Sequence, residues 1–287
     1  MIIDFHTHMF PEKIAEKAVG KLALASHSRA FTDGTADGLR ASMECAGIDI
    51  SVVLPVVTSP AQTRRINERA AALDGDFNGS GLYSFGGIHP DSPDWKDELE
   101  EVKALGIKGI KVHPYYHEMN FDDIRYLRVL EKCAELGLVV VTHSGFDIGF
   151  PGVQRCSPQM VGHALREIAA DQAAGFQLVL AHMGGWRCWD EVRELLPPYP
   201  VMLDMSLSGG RFFPLPDGYW KEEDTIMMDE EQFMGMIRAF GPERILFATD
   251  SPWSDQKESV RALEALPLAP GEKELILSGN AMKLLGL

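Results

Sequence analysis

The sequence predicts an α/β fold in which eight parallel strands close into a (β/α)8 TIM barrel, and three observations carry that expectation. Short β-branched runs alternate with longer amphipathic segments from one end of the chain to the other. Glycines stand where helical runs end and strands begin. Metal-competent polar residues recur at one end of the apolar runs. Alternating strand and helix imply a parallel sheet with helical crossovers, and eight such units suggest closure. The length of 287 residues suits one large barrel. No linker, low-complexity tract or charge block interrupts the pattern, so residues 1–287 read as a single domain.

The strands are expected at residues 2–6, 51–57, 82–88, 107–113, 138–143, 177–182, 201–205 and 244–249. Each has the length of a buried strand. Helical patterns lie between them, among others at 94–105, 122–136, 158–174 and 229–240. Gly47, Gly106, Gly137, Gly175 and Gly241 each follow a helical run and precede a strand, where C-terminal caps belong. Two connections, 9–37 and 207–228, are longer than a barrel turn needs, and both leave C-terminal strand ends. Barrel enzymes place their active sites there, and loops of this length are usually lids or binding loops. The second carries Arg211, Phe212, Phe213 and Trp220 among glycines and prolines.

The polar residues fall on the same rim. His6 and His8 close strand 1, Lys111 and His113 close strand 4, His143 closes strand 5, His182 closes strand 6, and Asp250 follows strand 8. Strand alternation assigns faces. Asp4, His6 and His8 share one face of strand 1, with Ile3 and Phe5 on the other; Lys111 and His113 share a face with Gly109, opposite Ile110 and Val112. Large apolar residues belong outward under the helices, so the polar ones point into the barrel. Closure makes strands 8 and 1 neighbours, which sets Asp250 beside the two imidazoles of strand 1, with those of strands 5 and 6 approaching across the mouth. Imidazole and carboxylate together suit zinc, with manganese, iron or cobalt as alternatives. Asp250 could bind such an ion, accept a proton from its water, or both.

Charge and cysteine usage narrow the partners. Asp and Glu number 42 against 27 Lys and Arg, a formal charge of −15, which argues against nucleic acid or an anionic membrane. A small-molecule substrate remains, and a homo-oligomer is compatible with everything here. The four cysteines, Cys45, Cys133, Cys156 and Cys188, are scattered and form no CxxC pair; at this size they do not make a disulfide framework. MIIDFHTHMF has an acid at position 4 and no basic region before a long apolar run, which argues against a signal peptide or membrane span and for the cytoplasm.

Several motifs together, FHTH at 5–8, GIKVHP at 109–114, VTHSG at 141–145, LAHMGG at 180–185, FATDSPW at 247–253 and the ending GNAMKLLGL at 279–287, resemble the amidohydrolase superfamily. The branch they are most similar to is the amidohydrolase-2 group, which includes aminocarboxymuconate-semialdehyde decarboxylase and lactone hydrolases. The resemblance spans essentially the whole chain. HxH alone is a weak signal; HxH, two later histidines and a late aspartate in order are a strong one. The resemblance implies a barrel of the metal-dependent hydrolase type, with His6, His8, His143 and Asp250 as ligands of one divalent ion. It makes His182 the residue that polarises substrate or moves a proton. In other branches a strand-4 lysine is carboxylated and bridges two metals, and Lys111 could be read so; the branch favours one metal.

Other residues weigh differently. For His113, and for His89 after strand 3, a hydrogen-bonded core role is at least as good a reading as substrate contact. His27, His117 and His163 are expected at the surface, and Asp4 in a structural hydrogen bond. Trp186 and Trp253, just after strands 6 and 8, are core residues or substrate contacts. Arg211 is a candidate for a bidentate pair with a substrate carboxylate. Two reactions suit the ligand set. Hydrolysis, with metal-activated water attacking a lactone, ester or amide carbonyl, stands slightly ahead; non-oxidative decarboxylation of a small unsaturated or aromatic acid is the alternative. Some aromatic-acid decarboxylases of the branch begin with ExH, which weakens that match here.

Overall fold

The β-branched runs do form strands, in a computed structural model that describes residues 1–168 and 176–287. They are β1 (Ile3–Thr7), β2 (Ile50–Val53), β3 (Leu82–Ser84), β4 (Gly86–Gly87), β5 (Gly109–Val112), β6 (Val139–Thr142), β7 (Gly145–Phe146), β8 (Gln154–Cys156), β9 (Leu178–Leu180), β10 (Val201–Asp204) and β11 (Ile245–Leu246). Most are shorter at the C-terminal end than their apolar runs suggest. Backbone geometry is one reason: His182, the last residue of the expected sixth strand, takes a left-handed conformation (φ 60°) that no ladder accommodates. The expected third strand is split at Phe85. There the buried Asn67 takes the place of a neighbouring strand, its Nδ2 donating to Gly87 O at 3.1 Å and its Oδ1 accepting from Gly87 N at 2.8 Å. A Cβ on Gly86 would stand 2.7 Å from Asn67 Oδ1, so only glycine admits this insertion.

Helix boundaries follow the side chains that cap them. Asp123, Ser157 and Asp229 each accept a backbone N–H of the helix they precede, and Asp229 forms a capping box with Gln232. Gly47 and Gly137 take the left-handed cap conformation expected of them. Gly106 stands one residue beyond its cap, and Gly241 follows its helix with an extended ψ of 142°. The pattern at 158–174 gives a helix over Pro158–Glu167. Residues 169–175 of that pattern, and Gly175 with them, lie outside the described residues. No described helix is long and apolar enough to cross a membrane.

The chain divides into two compact units. The first comprises Met1–Val53, Ile148–Pro151 and Asp204–Leu287. Here β1 pairs in parallel with β2, Ile3 opposite Ile50 and Thr7 opposite Val53, with a register shift between Asp4 and Thr7. Such bulges re-aim side chains. On the other edge of β1, Phe5 N donates to Phe247 O, Asp250 N to His6 O and His8 N to Ser251 O, at 2.7–2.9 Å. The first strand and the segment after the last are thus neighbours, as expected. The connection 9–37 is not an open loop, since it contains the helix Glu12–Ser26. It clasps the other long connection: Leu215 N donates to His27 O, Arg29 N to Phe213 O, and Trp220 Nε1 to Ser26 O.

The second unit comprises Leu54–Asp147 and Gly152–Leu203. Its strands are parallel in the order β10, β9, β6, β5, β4, with Val201 and Val140 both opposite Leu178, and Val112 opposite Thr142. Ile110, Val112, Val140, Val141, Val179 and Leu180 are fully enclosed. Burial of each such side chain is worth roughly 1.5–3 kcal/mol. Lys111, on the alternate face of β5, is enclosed too. Beside it a Cβ on Gly109 would stand 2.4 Å from Val139 O and 2.5 Å from the Phe85 ring, which explains the glycine.

Candidate metal centre

In the first unit the end of β1 and the segment after β11 bring together His6, His8 and Asp250. His6 Nε2 lies 3.1 Å from His8 Nε2, His8 Nε2 lies 3.1 Å from Asp250 Oδ1, and His6 Nε2 lies 3.6 Å from the same oxygen. Donors held at 2.0–2.1 Å around a tetrahedral ion stand about 3.3 Å apart. The triangle therefore matches one face of such a coordination shell.

The backing of His6 points the same way. Its Nδ1 is 2.8 Å from Oδ2 of Asp204, at the end of β10, and both side chains are buried. A carboxylate accepts and cannot donate, so Nδ1 carries the proton and Nε2 is the basic nitrogen. A metal-binding histidine is oriented in this way. Ser206 Oγ donates to Asp204 Oδ1 at 2.5 Å and Ser206 N donates to the same oxygen at 3.1 Å, which fixes the carboxylate in turn. Two buried donors and the half-buried His8 at this spacing, one histidine with a set tautomer, and a mixed imidazole–carboxylate donor set all fit a divalent cation.

Asp4 stands behind the cluster and is structural, as expected. It accepts from Thr249 N, Thr249 Oγ1 and Gln256 Nε2 at 2.6–3.0 Å, joining β1 to the segment that carries Asp250. Burial raises its pKa to about 7, against the lowering effect of these hydrogen bonds. Asp250 itself is buried in a left-handed conformation, a strained backbone of the kind found at functional positions.

In the second unit His143 and His182 meet, Nδ1 to Nε2, at 3.1 Å. His113 stacks on His143 with ring centroids 4.5 Å apart and planes 22° apart. Asp147 Oδ2 lies 3.4 Å from His113 Nε2 and 3.6 Å from His143 Nε2. His113, His143 and Asp147 thus make a second set with metal-ligand spacing. Chemistry separates it from the first: His143 Nε2 is 3.0 Å from the carbonyl oxygen of Phe146, which only accepts. A nitrogen that faces an acceptor at this distance is set to donate a hydrogen bond rather than to bind a cation.

The remaining candidates are placed as follows. Trp186 is buried and Trp253 half-buried. Arg211 is exposed and pairs with Glu222 at 3.0 Å. His89 is buried, and its Nδ1 accepts from Asp91 N. His163 is exposed and His27 half-buried, each paired with an aspartate. His117 corrects the surface expectation. It is buried, donating from Nε2 to Val57 O at 2.8 Å and accepting from the Tyr126 hydroxyl at Nδ1. Desolvation lowers its pKa to about 4. A loop histidine reads as exposed until its partners, remote in sequence, are known.

Sequence reasoning missed Asp204, Ser206 and Asp147. Asp204 left a signal, a lone acid ending the apolar strand VMLD. Asp147 stands four residues beyond His143 and left none in strand periodicity, because it belongs to a turn.

Known proteins bear on the same features. The family model Amidohydro_2, described as amidohydrolase, matches residues 3–287. No curated protein matches significantly. Among solved structures the chain is similar to an uncharacterized TIM-barrel protein from Bordetella bronchiseptica, with TM-score 0.77 and 19% identity, covering 99% of this chain and 98% of that one. It is similar to 5-carboxyvanillate decarboxylase from Sphingomonas paucimobilis, with TM-score 0.65 and 17% identity over 100% and 99%. It is also similar to a dihydroxybenzoic acid decarboxylase from Polaromonas with bound manganese and an inhibitor, with TM-score 0.66 and 17% identity over 100% and 97%. Likeness of this extent shows the fold, a TIM barrel with parallel strands and helical crossovers.

Proposed function

The chain belongs to the amidohydrolase family, and from that premise we propose that it is a metal-dependent enzyme that decarboxylates a small unsaturated or aromatic acid. The observation that carries metal dependence is the donor triangle of His6, His8 and Asp250, with Asp204 setting the tautomer of His6. Decarboxylation moves ahead of hydrolysis because several of the similar structures are named as decarboxylases. Hydrolysis of a lactone, ester or amide is the second reading, favoured by HxH where some aromatic-acid decarboxylases have ExH.

The proposed ligands are His6, His8 and Asp250, with His143 added on the order of the sequence motifs alone. The donor set favours zinc; manganese is the alternative, being the ion of one similar structure. When bound, the ion supplies a Lewis acid that orients and polarises an oxygen of the substrate. His182 delivers the proton. The bond to the carboxyl group breaks, its electron pair stays on the carbon left behind, that carbon takes the proton, and carbon dioxide leaves. In hydrolysis Asp250 would accept the proton of the attacking water, and His182 would assist the leaving group. Residues 1–287 act in this reading as one catalytic domain.

The deciding experiment offers the metal-loaded protein a panel of lactones and of unsaturated and aromatic carboxylic acids. Carbon dioxide release and acid release are followed separately. Carbon dioxide without acid release supports the first reading. Acid release from lactones alone would replace it with the second, and wild-type protein that works without metal would remove both.

A further inference from the structure

The turn that follows β6 carries His143 together with groups that control its ring, and we propose that Asp147 is a positioning residue that holds His143 in the Nε2–H tautomer, making Nδ1 its basic nitrogen. This rests on the reading of His143 as a metal ligand only for its consequence, since the tautomer is a property of the metal-free protein.

Three features set the ring. Phe146 O, 3.0 Å from Nε2, can only accept, so the contact requires a proton there. Asp147 Oδ2 is 3.6 Å from the same nitrogen and 3.4 Å from His113 Nε2, so one carboxylate oxygen faces the Nε2 edges of two stacked imidazoles. Negative charge on that side favours N–H groups pointing toward it and disfavours a lone pair aimed at it. Rotation is restricted as well. His113 covers one face, and the Tyr115 ring meets His143 edge-on at 5.3 Å. The opposite nitrogen, Nδ1, is the one that faces His182 Nε2 at 3.1 Å.

The turn has little freedom to move these groups. Tyr115 Oη donates to Gly145 O at 2.5 Å. Phe146 N donates to Trp186 O, and Trp186 N to Ser144 O, each at 2.9 Å. Gly145 has φ +81°, and a Cβ there would stand 2.2 Å from Trp186 N, so the close approach requires glycine. Histidine, carbonyl and carboxylate are therefore delivered by residues i, i+3 and i+4 of one locked segment. In the first unit Asp204 sets the tautomer of His6 from a different strand; Asp147 serves the same end within a single turn.

Nitrogen-15 spectra of histidine-labelled, metal-free protein near pH 8 test the proposal directly. The expected spectrum shows neutral His143 with its proton on Nε2. Asp147→Asn, which keeps shape and removes charge, should shift His143 toward a mixture of tautomers and lower metal affinity ~10–100-fold in chelator competition. Asp147→Glu should restore much of both. A wild-type spectrum with the proton on Nδ1 would overturn the proposal without any variant, as would an Asp147→Asn spectrum unchanged at His143. If the wild type bound no metal, the family-based reading of the site would fail while the tautomer result still stood on its own.

Discussion

His6 in the first unit and His143 in the second each have one ring nitrogen held by an oxygen acceptor, and the acceptors differ in kind. Behind His6 is a carboxylate 198 residues away in sequence, buried and fixed by Ser206. Behind His143 is a backbone carbonyl three residues away, with Asp147 at longer range. The long-range pair presents Nε2 toward His8 and Asp250 at the spacing of ion ligands. The local pair occupies Nε2 and turns Nδ1 toward His182. Spacing alone would rate the two clusters alike. Protonation distinguishes them, since a nitrogen that must donate a hydrogen bond cannot also give its lone pair to a cation.

The largest effect that could break this contrast is loss of the ion itself. His6→Ala combined with His8→Ala should leave a folded protein with no bound metal by elemental analysis, where the wild type holds about one ion per chain in a site of the zinc type. Two ions per chain in the wild type would show that the second cluster also binds one.

His182 and Asp250 separate proton transfer from metal binding. His182→Asn should keep the metal and lose ~10²–10⁴-fold in turnover, the usual range for a general acid or base. Equal loss of metal and turnover would make His182 a ligand instead. Asp250→Asn should weaken metal binding and lower turnover by at least ~10²-fold, with thermal unfolding little changed. Near-normal turnover with metal and substrate saturating would remove Asp250 from the mechanism.

Asp204→Asn sharpens the comparison further, because it leaves every proposed ligand in place. Metal affinity should fall ~10–100-fold, measured by chelator competition, while His143 keeps its tautomer. An unchanged affinity would mean that the carboxylate behind His6 is structural only.

The smallest effect concerns a histidine held neutral without any metal. His117, with His89 and Asp91 nearby, has its pKa lowered from 6.5 to about 4, chiefly by desolvation. Between those values the unfolded chain takes up a proton that the folded one refuses. Its contribution is thus complete above about pH 6.5 and is lost as pH falls toward 4, by at most roughly 3 kcal/mol. His117→Gln should be less stable at pH 7 yet lose less on going to pH 4.5. Melting temperatures of both proteins at the two pH values decide this, and parallel losses would assign the acid sensitivity to other groups.

Legible in the sequence alone were the alternation of strand and helix, the C-terminal caps at Gly47 and Gly137, and the placement of His6, His8, His113, His143, His182 and Asp250 at strand ends. These follow from local rules: burial periodicity, capping chemistry and the side-chain alternation of strands each act over a few residues. Barrel closure also places Asp250 beside β1, because the last strand has to meet the first. The rest required the folded chain. That Asp204 serves His6, that Asn67 replaces a strand at Gly87, that His117 is buried against Val57, and that the connection 9–37 clasps 207–228 all depend on distances between residues remote in sequence. Hydrogen bonds require placement to a few tenths of an ångström. Periodicity assigns a side chain to a face and leaves its partner to be chosen by the packing of the whole chain.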